Sequence, residues 1–314
     1  RFAAPNLMAG NTGLLKHASN VMRCGLNVEE VFHQAGFPAQ VFQSLLINHD
    51  QVSKLLQNPA IKAVTLTGSE QAGRSVAAEA GQQLKKSVLE LGGSNAFIVL
   101  ADCNLDKTAE LAVQARFQNT GQSCIAAKRF VVETQVYDQF VAQFTQHVKQ
   151  LKAGDPTDES TELGPMARTD LAADLYQLLQ QSVNQGAQVI WGGHHDGPMF
   201  EPTVVIDVTT DMPIMQTETF GPLAPIIRAE DREHAIKLAT DTDFGLGVSI
   251  CTQDVDFVKQ NLQQFPDGAV FVNELVKSDP RLPFGGTGIS GYGRELAKDG
   301  IMEFINKKTV YIKH

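Results

Sequence analysis

The chain has 314 residues, enough to bury one large core or two modest ones. Its 43% hydrophobic and 19% charged residues suit a globular protein, and a net charge of −9 argues against nucleic acid or an anionic membrane as its main partner. No apolar run reaches the ~18 residues of a membrane span, and Cys24, Cys103, Cys124 and Cys251 contain no CxxC pair, so neither a disulfide framework nor a zinc site is indicated. A reducing cytoplasm is the simplest setting. The chain opens on Arg1 and not Met, which leaves an upstream targeting segment open.

In chain order, Leu14-Leu15 reads as a short strand, and residues 20–35 as a helix ended by Gly36-Phe37-Pro38. A strand over 41–45 and a helix over 51–57 follow. Ala63-Val64-Thr65-Leu66 is a further strand, leading through Thr67-Gly68-Ser69 into a helix that runs to about Leu84. Strand alternating with helix implies a parallel sheet with helices on its faces. Glu90 stands between Leu89 and Leu91, ahead of Gly92-Gly93. A carboxylate among leucines is costly to desolvate, so its pKa tends upward and suits general-base work; an exposed strand residue is the bland alternative.

Ala96 to Leu100 begins a second α/β unit. Leu105, Ala109, Ala112, Val113 and Phe117 recur at helical spacing, and the stripe runs into Asn119-Thr120-Gly121-Gln122-Ser123-Cys124. Beyond it Phe130, Val131 and Val132 read as a buried strand. A thiol on such a Gly-hinged turn is both held and exposed. Nearby backbone N–H groups could lower its pKa and cradle an oxyanion. The alternative, a buried cysteine acting as a small hydrophobe, fits poorly with so polar a lead-in. Gly154-Asp155-Pro156, Trp191-Gly192-Gly193 and Phe220-Gly221-Pro222 punctuate the rest as loops. His194-His195 lies beside Gly-Gly and Asp196-Gly197 and reads as a solvated turn, not a metal site. Thr309-Val310-Tyr311-Ile312 alternates like a strand.

Gly68-Ser69-Glu70-Gln71-Ala72-Gly73 follows a strand and opens a helix, where a phosphate is favoured. With Arg74-Ser75 next, the segment comes one residue short of a P-loop. A P-loop NTPase fails on two grounds. A planar guanidinium cannot replace the compact ammonium of that motif, and Glu90 and Cys124 would stay unexplained.

Together, Glu90-Leu91-Gly92-Gly93 and Gly121-Gln122-Ser123-Cys124 resemble the aldehyde dehydrogenase superfamily, over essentially the whole chain. The resemblance implies an α/β fold. Residues 1–92 would be the C-terminal part of a Rossmann-like NAD(P)-binding domain, 93–300 a catalytic thiol domain, and 301–314 a bridging strand that pairs subunits as a dimer or tetramer. It also implies a C-terminal fragment, without the family's oxyanion Asn. Cys124 would be the nucleophile and Glu90 the base. Gly68, Ser69 and Gly73 would take the cofactor pyrophosphate and Lys16 the adenosine ribose, with Leu91, Glu218 and Phe220 at the nicotinamide end.

Lys16-His17-Ala18-Ser19-Asn20-Val21 is similar to the same stretch of bacterial succinate-semialdehyde dehydrogenases. Ser19, where many relatives carry Glu, implies that NADP is tolerated or preferred; capping of the next helix is the plain alternative, and the two are compatible. Arg1 and Ser278 match family residues on a substrate carboxylate. A second family Arg is Gln118 here, for which Arg281 is the candidate replacement or else a surface residue. The expectation is an NAD(P)-dependent semialdehyde dehydrogenase. Its alternatives are a dehydrogenase of another aliphatic aldehyde and a non-catalytic fragment serving only in assembly.

Overall fold

A computed structural model describes residues 1–314. Two compact units emerge. The first comprises residues 1–91, 278–285 and 291–314, and the second comprises 92–277 and 286–290.

In the first unit, helix α1 (Ala3–Met8) precedes strand β1 (Gly13–Leu15), helix α2 (Met22–Gln34) and strand β2 (Phe42–Ser44). Helix α3 (His49–Gln57), strand β3 (Ala63–Thr67), helix α4 (Glu70–Gln82) and strand β4 (Lys86–Glu90) follow. Asn48 caps α3 through a reciprocal pair of hydrogen bonds with Gln51, so that helix starts two residues earlier than periodicity alone suggests. The strand pairs are parallel, β1 with β2 and β3 with β4, as βα alternation requires. They form two separate sheets instead of the single sheet expected. A two-residue strand, Gly291–Tyr292, returns antiparallel along β4 opposite Leu89 and Glu90. Segments 278–285 and 291–300, read from sequence as part of a continuous 93–300 domain, therefore belong with the first unit. Hydrogen bonding to a strand some 200 residues upstream decides this, and chain order carries no trace of it.

The second unit opens with β5 (Asn95–Val99), α5 (Leu105–Phe117), β6 (Ala127–Glu133) and α6 (Thr134–Val148). It continues through α7 (Thr169–Asn184), β7 (Gln188–Trp191), the small strands β8 (His195–Asp196) and β9 (Met199–Phe200), and β10 (Thr203–Ile206). Last come β11 (Leu223–Ala229), α8 (Arg232–Thr240), β12 (Val248–Cys251) and β13 (Val270–Val272). Seven strands make one sheet in the order β13-β12-β5-β6-β11-β10-β7, parallel except where β7 meets β10. Period-two alternation sends Ala96 and Ile98 to one face, with α7 and α8, and Phe97 and Val99 to the other, with α5 and α6. Both faces are covered, so β5 and β6 are buried throughout, as parallel sheets are. Phe130 of β6 packs against Phe140 and Phe144 of α6, with ring centres 5.0–6.3 Å apart.

Two local expectations are corrected. Thr309–Ile312 forms no strand; Val310, Tyr311 and Ile312 are exposed, and an alternating segment without a partner strand has no ladder to join. His195 lies in the β8–β9 hairpin, partly buried with its ring packed against Phe200 and Tyr176, whereas His194 is exposed as the turn reading expects. No helix is long and apolar enough to cross a membrane.

Candidate active site

Helix α5 ends at Phe117, and the backbone then turns through three successive left-handed residues, Asn119 (φ 51°), Thr120 (φ 57°) and Gly121 (φ 69°). A β-branched residue is a real outlier there, and such strain persists only where the surroundings fix it. Here they do. The Thr120 hydroxyl donates to the Gly164 carbonyl, the Asn119 amide to the Gln122 carbonyl, and the Ala167 N–H to the Gln122 side chain. The turn delivers Cys124, half-buried, three residues ahead of β6. At Gly121 a side chain would also meet the Gly221 carbonyl. Gly121→Ala is expected to lower stability by more than about 2 kcal/mol, read as a fall in the denaturant midpoint.

Behind Cys124 lies a buried cation. Lys128, on β6 and only 1% exposed in its side chain, donates to the carbonyls of Ser123 (2.8 Å) and Cys124 (3.0 Å) and pairs with the Glu218 carboxylate (2.9 Å). The same carboxylate accepts from the Gly93 N–H at 3.0 Å. Gly93 in turn lies so close to the Cys124 carbonyl that a Cβ there would stand 2.6 Å from it. Arg116, fully buried at the end of α5, donates to the carbonyls of Ala127, Thr219 and Gly221. Burial pushes it down to about 9, and Glu218 partly opposes that. Arg116 thus ties the loop carrying Glu218 and Phe220 to the start of β6. Glu218 is therefore no surface carboxylate. Phe220 is no core residue either: its ring is 39% exposed, with the Lys128 ammonium 5.7 Å from its centre.

In the first unit, Glu90 ends β4 with both carboxylate oxygens buried and without a hydrogen-bond partner. Desolvation, then the Glu295 carboxylate, pushes it up to about 8, against the opposing charges of Arg1 and Arg294. The exposed-strand alternative is thereby excluded.

The turn before α4 fits an anion. Gly68 and Ser69 are exposed, nothing lies within 3.7 Å of where a Gly68 side chain would stand, and the Ser69 hydroxyl accepts from the Ala72 N–H. The other first-turn N–H groups have no intrahelical acceptor, as at any helix start. The Gly68 N–H itself is taken by the Glu90 carbonyl, which ties the turn to β4. Gly73 has a different reason from phosphate approach: the Leu91 side chain fills the space a Cβ would need, 2.5 Å away. Lys16, just beyond β1, forms no ion pair. Ser19 opens a 3₁₀ turn, and its hydroxyl caps nothing, so the capping explanation falls.

The substrate residues fare less evenly. Arg1 stacks on the Phe284 ring (4.4 Å) and forms a 3.5 Å ion pair with Glu295. Ser278 is exposed. Arg281 is a surface residue, 86% exposed and gripped by both oxygens of Asp279.

The pattern of the aldehyde dehydrogenase family matches residues 1–310. The chain belongs to that family. Among curated relatives, a probable NADP-dependent succinate-semialdehyde dehydrogenase of Synechocystis is 49% identical, over 99% of this chain and 69% of its own length. The NADP-dependent succinate-semialdehyde dehydrogenase of Mycobacterium avium is also 49% identical, over 99% of this chain and 67% of its own. The crystal structure of succinic semialdehyde dehydrogenase from Streptococcus pyogenes with NADP+ superposes with a TM-score of 0.97 at 38% identity, covering 100% of this chain and 70% of that one. The α/β fold of aldehyde dehydrogenases is thus established for this chain.

Sequence reasoning missed Lys128, Arg116 and Glu295. A signal for the first was present: Lys128-Arg129 interrupts an apolar run from Ile125 to Val132, and cations inside a buried strand need dedicated partners.

Proposed function

We propose that this member of the aldehyde dehydrogenase family oxidises succinate semialdehyde, or a close aliphatic semialdehyde, to the carboxylic acid with NADP+. The chemical part rests above all on Glu90, a buried carboxylate with free acceptor capacity whose pKa burial pushes up to about 8. The substrate and cofactor follow the relatives named above.

The Cys124 thiolate attacks the aldehyde carbon and gives a hemithioacetal oxyanion. NADP+, held by the residues named below, would supply the two-electron acceptor for the hydride that leaves that carbon. A thioester on Cys124 remains, Glu90 takes a proton from the attacking water, and hydrolysis releases the acid and restores the thiol. For the cofactor, Gly68 and Ser69 with the first turn of α4 receive the pyrophosphate, and Lys16 and Ser19 the adenosine ribose. Leu91, Glu218 and Phe220 serve the nicotinamide end, with Gly73 admitting the Leu91 side chain. Arg1 and Ser278 are kept as the carboxylate-binding candidates. Residues 1–92 serve as the cofactor domain, the thiol domain is confined to the second unit, and the exposed tail (301–314) is offered to a second copy as a bridge.

The test is cofactor reduction with succinate semialdehyde against butanal, each with NADP+ and NAD+. A preference for the acid-bearing aldehyde with NADP+ is expected, and equal rates on butanal would end the semialdehyde assignment. That second reading, another aliphatic aldehyde, gains from Arg281 being committed to Asp279 and Arg1 to Glu295. Ser19→Glu is expected to raise KM for NADP+ by about tenfold or more with little effect on NAD+, because a carboxylate would face the 2′-phosphate.

A further inference from the structure

We propose that Lys128 is a positioning residue, pinning the Cys124 peptide and the Glu218 carboxylate to one buried point and setting a positive charge behind the nucleophile that favours its thiolate. The inference rests on the reading of Cys124 as nucleophile.

An ammonium has three N–H donors, and here all three have acceptors: Ser123 carbonyl, Cys124 carbonyl and Glu218 carboxylate, at 2.8–3.0 Å. Lys128 therefore has no donor left for a substrate. Its work is done on the protein. Burial pushes its pKa down, and Glu218 is the chief opposing charge. A neutral amine would have only two N–H groups for three acceptors, so this arrangement selects the charged form. The ammonium bonds the carbonyl of the nucleophile's own residue, which keeps its charge close to that thiol. Among the other charges bearing on Lys128, Arg116 adds a second cation and Glu218 the one anion besides Cys124. Removing Lys128 would leave the Glu218 carboxylate without its cation in the cluster that holds the Cys124 peptide, whereas removing the Glu218 charge would leave Lys128 unopposed. The two changes should move the thiol in opposite directions, which no purely structural role would do.

The test is the pH dependence of Cys124 alkylation by iodoacetamide, followed by mass spectrometry on the folded chain without substrate. In Lys128→Met, of similar volume, the midpoint should rise by about one pH unit, lowering the neutral-pH rate about tenfold. In Glu218→Gln the midpoint should fall. An unmoved midpoint in Lys128→Met, with or without a lower melting temperature, overturns the proposal. If that variant does not fold, a midpoint in Glu218→Gln that stays put or rises overturns it instead. Failure of the underlying reading looks different: Cys124 would then be alkylated no faster than Cys24 in the unmutated chain.

Discussion

Cys124→Ala is expected to reduce turnover by more than about 10⁴-fold, because loss of a covalent nucleophile removes the pathway and not merely one interaction. The substitution should cost little stability, as Cys124 is only half-buried and its loop is held by Thr120, Asn119, Gln122 and Lys128 through other atoms. Cofactor binding should persist, measurable by titrating NADP+ against protein fluorescence. Steady-state cofactor reduction, with thermal melting on the same preparation, separates lost chemistry from lost fold. Residual turnover within about tenfold of the unmutated chain would move the nucleophile elsewhere.

Glu90→Gln should act on the second half of the reaction. One equivalent of NADPH should form rapidly, followed by a steady state slower by about 10²- to 10⁴-fold, since water now lacks its base while the thiol retains its own reactivity. The pH profile supplies an independent reading. Glu90 is held up to about 8, so the basic form grows, and the rate of the unmutated chain climbs, as pH rises toward that value; the variant should lose this limb. Stability runs the other way. A carboxyl with its folded pKa raised from 4.5 to about 8 contributes stability that is complete below its unfolded pKa and lost as pH rises through the folded one. Glu90→Gln should therefore melt higher than the unmutated chain at about pH 9, with no such gain at about pH 5. A stopped-flow burst that vanishes together with the steady state would contradict the assignment.

Much of the site could be read along the chain because its signals are local. Residues 105–117 carry a helical stripe, and Asn119 to Cys124 carry a turn written in small and polar residues. Glu90 is conspicuous as a carboxylate among leucines. What escaped was decided at long range. Arg116 reaches carbonyls 103 and 105 positions away, Lys128 meets Glu218 across 90 positions of chain, and Gly291–Tyr292 pairs with β4 from the far end of the sequence. Arg281 looked available for a substrate only because Asp279, two residues back, was not weighed as its partner. Terminal alternation at Thr309–Ile312 misled for a related reason, since a strand is a property of pairs and not of a segment.

Dissolved ions should be poor at reaching the Lys128–Glu218 pair. Ions attenuate interactions between groups in water over about 8–10 Å at ordinary ionic strength, but they cannot penetrate to an ammonium only 1% exposed. Exposed pairs such as Arg168–Asp170 have no such protection. The charge environment of the thiol should thus hold nearly constant from dilute buffer to concentrated salt, so any salt dependence of the oxidation would belong to how an anionic cofactor or substrate arrives, not to the chemistry that follows.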